Sequence, residues 1–159
     1  MVGRAKIIFV FLLFITLNAE EIQISADNFF ADENKLFSRL DGNVVIKKGD
    51  QNTLKSKQAK IYFSKDKKVS KFEAIGNANF AVFVRTKQYL GGANLISYEP
   101  AKKLYILSGN AYLQEANNDK KIYGDKITIN EIDGTYNVSG DKKPVKMIFQ
   151  IGDEYDKNQ

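Results

Sequence analysis

Histidine and cysteine are both absent from the 159 residues, and proline occurs only at Pro100 and Pro144. The first two absences remove the common transition-metal ligands, the usual general base, and both familiar nucleophile–base pairings. They also exclude disulfides and a lipid-modified cysteine. No glycine-rich phosphate loop closing on lysine and serine or threonine is present, so the chain has no visible means of using ATP. Paired carboxylates can hydrolyse glycosides, but Asp32-Glu33 and Asp153-Glu154 sit in turn-like or terminal stretches and read as solvated charge. No catalytic residue, metal ligand or cofactor is expected, and the chain is read as a non-enzyme. The shortage of proline suits continuous sheet, because proline breaks the hydrogen-bond ladder.

Long apolar runs are scarce too. The one present, Ile7 to Leu17, follows Arg4 and Lys6 and precedes Leu17-Asn18-Ala19. A basic start, a short apolar stretch and a small residue at the cut form the pattern of a secretory signal peptide. A membrane span needs about 20 apolar residues, so cleavage after residue 19 is expected. A retained N-terminal anchor is the alternative. The expected organisation is a signal peptide over 1–19, one domain over 20–152 and a flexible tail over 153–159. A domain of this size can bury its own core. The formal charge of +5 falls to about +3 once Arg4 and Lys6 leave. Residues 20–46 hold two basic and six acidic residues, whereas 47–71 hold nine lysines against Asp50 and Asp66. For an exported chain without a recognisable nucleic-acid motif, an anionic lipid or glycolipid is the better partner. Nucleic acid is not expected.

What the chain does have is a repeat. Gly-Asn stands at Gly42-Asn43, Gly76-Asn77 and Gly109-Asn110, and decays to Gly140-Asp141, with glycine spacings of 34, 33 and 31. A second series, Ala26, Ala59, Ala93 and Asp125, runs at 33, 34 and 32. Two series holding one period mark one structural unit used four times. Around each glycine the apolar residues alternate with period two, as on a half-buried strand. The first copy gives Ser38, Leu40, Val44 and Ile46, and the second gives Phe72, Ala74, Ala78, Phe80 and Val82. The third gives Tyr105, Leu107, Ala111 and Leu113, and the fourth Tyr136 and Val138. The alanine series gives Ala26-Asn28-Phe30, Ala59-Ile61-Phe63, Ala93-Leu95-Ser97 and Asp125-Ile127-Ile129. Arg39, Glu73, Ile106 and Asn137, three before each glycine, form a mostly polar opposite face.

Helical repeats share this period, but no segment after the signal keeps a helical apolar stripe for three turns. The segments are instead rich in β-branched and aromatic residues. Glycines within strands mark bends or bulges. Turn signals fall at Asp32-Glu33-Asn34, Lys48-Gly49-Asp50, Ser64-Lys65-Asp66, Gly91-Gly92, Glu99-Pro100, Asn117-Asn118-Asp119 and Asp133-Gly134. The expected fold is all-β: an elongated β-jelly roll or β-solenoid of two bent strands per repeat. The recurring small residues leave two interiors open. One is a closed core filled by aromatic neighbours, and the other is an apolar groove able to take hydrocarbon.

The strand openings "ISADNF", "KSKQAKIYF" and "LGGANLISY", with the steps "LDGNVVI" and "LSGNAYL", resemble the OstA-like family over residues about 22–149. The resemblance implies a jelly roll of V-shaped antiparallel strands in the periplasm of a Gram-negative bacterium. It implies a non-enzymatic carrier of lipopolysaccharide that shields the acyl chains of lipid A. It also implies head-to-tail self-association bridging LptC-like inner-membrane and LptD-like outer-membrane proteins. By motif position the groove would be lined by Phe30, Leu40, Val44, Ile46, Ile61, Phe63, Phe72, Phe80 and Val82. It would continue through Leu95, Tyr105, Leu107, Leu113, Ile127, Ile129, Tyr136 and Val138. The lysine-rich stretch is not explained by the resemblance. Lys47, Lys48, Lys55, Lys57 and Lys60 are candidates for an anionic headgroup, with plain solvation as the alternative. Two other functional readings stand beside the carrier: a membrane-anchored LptC-like relative, and a structural β-solenoid with a closed core.

Overall fold

A computed structural model of the protein describes residues 21–84 and 86–150. The signal peptide expected over 1–19 and the tail expected over 153–159 lie outside the described residues. Ten strands form one antiparallel sheet: β1 (Ile22–Ser25), β2 (Asn28–Asp32), β3 (Phe37–Lys48), β4 (Asn52–Phe63) and β5 (Val69–Val84), then β6 (Lys87–Glu99), β7 (Leu104–Glu115), β8 (Lys121–Asn130), β9 (Thr135–Ser139) and β10 (Lys146–Ile148). Strands β3 to β8 lie side by side in chain order. β1 and β2 both pair with β3, and β9 and β10 both pair with β8. The outer edges of these four short strands carry no partner strand among the described residues.

Each long strand is bent at one level. Register shifts fall between Asp41 and Val44, between Ile75 and Ala78, and between Ser108 and Ala111. At each, two successive residues are left-handed: Gly42 and Asn43 (φ 80° and 47°), Gly76 and Asn77 (86° and 45°), Gly109 and Asn110 (81° and 49°). Glycine adopts that region freely and asparagine tolerates it better than most residues. The Gly-Asn step is therefore the bend itself. The intervening strands shift register at Lys57, Asn94 and Asp125. The bends divide the sheet into two arms. β2, the first parts of β3, β5 and β7, the last parts of β4, β6 and β8, and β9 make the first arm. β1, β10 and the remaining parts make the second. The fourth step, Gly140-Asp141, is no bend within a strand; the chain breaks there between β9 and β10, as it breaks at Ala26-Asp27 between β1 and β2. The result is a repeated stack of V-shaped strands, a β-jelly roll.

The inner faces of the two arms share one hydrophobic cluster. Leu40, Ala59, Ala74, Ile96, Leu107 and Ile127 form its row on the first arm, beside the bends, and all are buried. Val44, Ala78, Ala93 and Ala111 form the row across the bends, also buried. The alanines lie where the arms converge and only small side chains fit. They close the vertex of the V rather than open space within it.

Three expectations are corrected by the register. Phe30 is opposite Arg39, whose guanidinium lies 5.5 Å from its ring centroid on the outer face; Phe29 and Ala31 face inward with Leu40 and Ser38. Leu95 and Ser97 face outward opposite Ile75 and Glu73, while Ile96 and Tyr98 take the inner positions. Gly91-Gly92 is not a turn but lies inside β6. A Cβ on Gly91 would strike the rings and methyls of Phe80 and Leu113 on the inner side. One on Gly92 would come within 2.7 Å of Tyr112 on the outer side. The pair is small because side chains press on the strand from both faces.

Candidate functional site

Exposure along the inner face changes with distance from the bend. Next to it, the rows just described are closed to solvent. One step out on the second arm, Ile24, Ile46, Leu54, Phe80 and Leu113 are half-buried. Their register runs Ile24–Ile46–Leu54–Phe80–Gly91–Leu113–Ile122 across seven strands. Val82, opposite Tyr89, lies one further step out and is half-buried as well. On the first arm the outer inner-face row is Ser38–Ile61–Phe72–Tyr98–Tyr105–Ile129–Tyr136. Ser38, Ile61 and Phe72 are buried, Tyr98, Tyr105 and Ile129 half-buried, and Tyr136 on the edge strand is 74% exposed. Phe63 packs against the core near Val69, and Val138 packs against it opposite Ile127. Apart from Phe30 and Leu95, the residues proposed for the groove thus share one continuous face. Phe29, Leu54, Ile96 and Tyr98 belong to it and were missed. Phe29 and Ile96 were hidden by an adjoining apolar residue, Phe30 or Leu95; Tyr98 follows the phase of Ile96, and Leu54 lies beyond the change of facing at Lys57.

Tyr98 and Tyr105 stack with centroids 4.1 Å apart and planes 19° apart. Burial, reinforced by the Tyr98 hydroxyl, pushes the Tyr105 phenol above its ordinary range, so it stays neutral. A face of hydrocarbon and neutral phenol, wet at its rim and dry at its vertex, can shield apolar matter from water.

The outer face divides differently. On the first arm charges neutralise one another. Arg39 bonds Asp41 at 2.5 Å, Lys71 bonds Glu73 at 2.7 Å, and Lys60 stands opposite Arg39 and Glu73. The Gln58 amide and then Arg39 hold the Asp41 carboxyl below its usual range. On the second arm the register places Lys47, Lys55, Lys121 and Lys146 outward, with no carboxylate among the described residues of that face. Of the five lysines singled out in the sequence, Lys47 and Lys55 occupy this outer surface, Lys60 that of the first arm, and Lys57 lies at a bend, its stem against Gly76. Lys48 alone shares the inner face, at the tip of the second arm opposite Ile22 and Asn52.

Comparison with known proteins bears on this arrangement. Residues 23–135 match the family described as LptA/(LptD N-terminal domain) LPS transport protein. Among curated proteins there is no match. Among solved structures, the crystal structure of LptH from Pseudomonas aeruginosa is similar, with a TM-score of 0.68 over 83% of this chain and 96% of that one, at 15% identity. LptH is there the LptA-homologous periplasmic component of that organism's lipopolysaccharide transport device. At that identity the likeness is one of fold.

Proposed function

Because the chain belongs to the LptA/LptD N-terminal-domain family of lipopolysaccharide-transport proteins, we propose that it is a non-enzymatic periplasmic carrier whose inner face takes the acyl chains of lipid A. The observation that carries this reading is the gradient on that face, buried at the vertex and half-open towards the arm tips across seven strands. A closed structural core would be dry throughout. Moving one buried CH₂ into water costs about 0.8 kcal/mol, so a chain of about twelve methylenes costs roughly 10 kcal/mol. A lipid with several such chains needs cover to cross an aqueous space. Similar apolar rungs at each repeat let it move along the stack with little net change in energy. Direction is supplied from elsewhere, since the sequence carries no nucleotide-binding loop.

The edges extend the same reading to assembly. Unpaired strand edges accept another strand. At the first edge Phe29 is 45% exposed on the inner side; at the last, Tyr136 is 74% and Met147 60% exposed. Joined end to end, copies would continue the apolar face, and the same edges would meet LptC-like and LptD-like partners at the two membranes. Glu21 and Asp27 border the first edge, and Lys142, Lys143 and Lys146 the last. Those opposite charges favour head-to-tail over head-to-head contact.

Site-specific photo-crosslinking tests the reading. A photoreactive residue at Phe80, Leu113 or Ile129 is expected to capture lipopolysaccharide in cells, and one at Lys60 or Phe30 is not. Equal capture on both faces, or none, rejects the groove. The membrane-anchored alternative is decided by the N-terminus of the cellular protein, since a start near Glu20 excludes it.

A further inference from the structure

Between β5, β6 and β7, at the level of the bends, lies a cleft of about 290 Å³ lined by Asn77, Asn79, Asn94, Asn110 and Tyr112, together with Ala78 and Ala93. It is an open depression, and its four asparagines are exposed. Four side-chain amides converge there with one aromatic ring. Asn79 donates to the backbone carbonyl of Asn77 at 3.1 Å. The side-chain amides of Asn77, Asn94 and Asn110 make no hydrogen bond within the described residues. The end bends of the same repeat differ. At the first, Asn43 donates to the Asp27 carboxylate at 2.9 Å. At the last, Asp125 accepts from the backbone N–H groups of Asp141, Lys142 and Lys143. The terminal bends use their polar side chains internally, and only the central ones leave donors and acceptors free.

We propose that this cleft is a subsite for an anionic saccharide. An amide offers a donor and an acceptor side by side, which suits a sugar hydroxyl that must both give and receive. The Tyr112 ring is held flat against β6, because Gly92 has no Cβ to push it off. It offers a face on which the apolar side of a pyranose can lie. The charge comes from two lysines. Lys55 is directly opposite Asn79 in the ladder, and the stem of Lys57 lies against Gly76, next to Asn77. Neither makes an ion pair among the described residues. A flat anionic membrane would meet the lysines without using the paired donors and acceptors of the four amides, so a sugar fits the cleft better. The site faces away from the apolar groove and does not rest on the transport role.

The experiment is calorimetric titration of the full chain with a lipid-free phosphorylated oligosaccharide, made by complete deacylation of lipopolysaccharide. Binding is expected, and Asn94→Asp, the same size but of like charge to the ligand, is expected to weaken it about tenfold or more. Lys35→Gln, in the turn between β2 and β3 and far from the bends, is expected to leave it unchanged. No binding by the unaltered protein, or equal binding by Asn94→Asp, overturns the proposal. So does equal, competitive binding of phosphatidylglycerol vesicles by both proteins, which would mark a membrane-facing surface. Titration with intact lipopolysaccharide identifies the source. A parallel loss in Asn94→Asp assigns the site to the glycolipid's own sugars, and an unchanged affinity assigns it to a separate saccharide. Because the probe has no acyl chains, its failure leaves lipid capture at Phe80 untouched, so the two readings fail separately.

Discussion

Left-handed backbone is the least forgiving demand this sequence meets, and it meets it three times with glycine followed by asparagine. Alanine at Gly76 would have to hold φ near 86°, with a new Cβ 2.9 Å from that of Lys57. Gly76→Ala is expected to cost about 1–3 kcal/mol of stability in urea unfolding, in line with non-glycine residues held in such regions. A second residue-scale effect lies at Asp125, whose carboxylate accepts three backbone N–H bonds of 2.5, 2.7 and 3.2 Å. Those bonds hold its carboxyl below the ordinary value of 3.8. A lowered folded-state value means that the tie is complete above the ordinary value and is lost as pH falls below it. The amide resonances of Asp141, Lys142 and Lys143 are expected to stay fixed above about pH 4 and to shift together in stronger acid. In Asp125→Ala they should sit at their displaced positions at every pH. Resonances that do not move in either protein would reject the tie.

At the scale of the strand, period-two alternation was readable and its phase was not. Around the Gly-Asn bends the alternation was right, since residues two and four from each glycine lie inward on both arms. The partner strands were harder. On them a single residue, Lys57, Asn94 or Asp125, stands opposite each Gly-Asn pair, so the facing inverts there with no glycine to mark it. The alanine series therefore mixes levels: Ala59 belongs to the first arm opposite Leu40 and Ala74, and Ala93 to the second opposite Ala78. Where two large apolar residues adjoin, as in Phe29-Phe30 and Leu95-Ile96, pattern alone had no means of choosing between them. Gly91-Gly92 misled for a related reason, because the side chains that require the glycines come from neighbouring strands far off in sequence. The edge strands carry this scale's prediction. Tyr136 is 74% exposed, so Tyr136→Asp should leave the fold intact while placing a charge on the unpaired side of β9. Sedimentation should show end-to-end association weakened by about tenfold or more, with that of the unaltered protein falling as salt rises. Association indifferent to both would place the contact elsewhere.

For the whole molecule, one bent sheet means that the surface proposed to take lipid is also the one that holds the fold together. The buried vertex, with Leu107 and Ala111 at 1% exposure and Ile127 at 0%, holds the arms together whether or not anything is bound. The half-buried rows nearer the tips leave apolar area in contact with water, which is unfavourable until something apolar covers it. A lipid that covers those rows binds the folded chain and not the unfolded one. It must then stabilise the fold by RT ln(1 + [L]/Kd), about 2.7 kcal/mol at a hundred times Kd. Thermal unfolding with lipopolysaccharide in excess is therefore expected to move upward by several degrees. The deacylated oligosaccharide, which cannot enter the groove, should give only the smaller shift of an outer-surface ligand. Phe80→Asp places a charge among the half-buried residues of the second arm while sparing the vertex. It should abolish the lipid-dependent shift and keep a cooperative transition. A sheet that gains the same stability from both ligands, or none from the lipid, has a closed interior, and its repeat is then a device for stability alone.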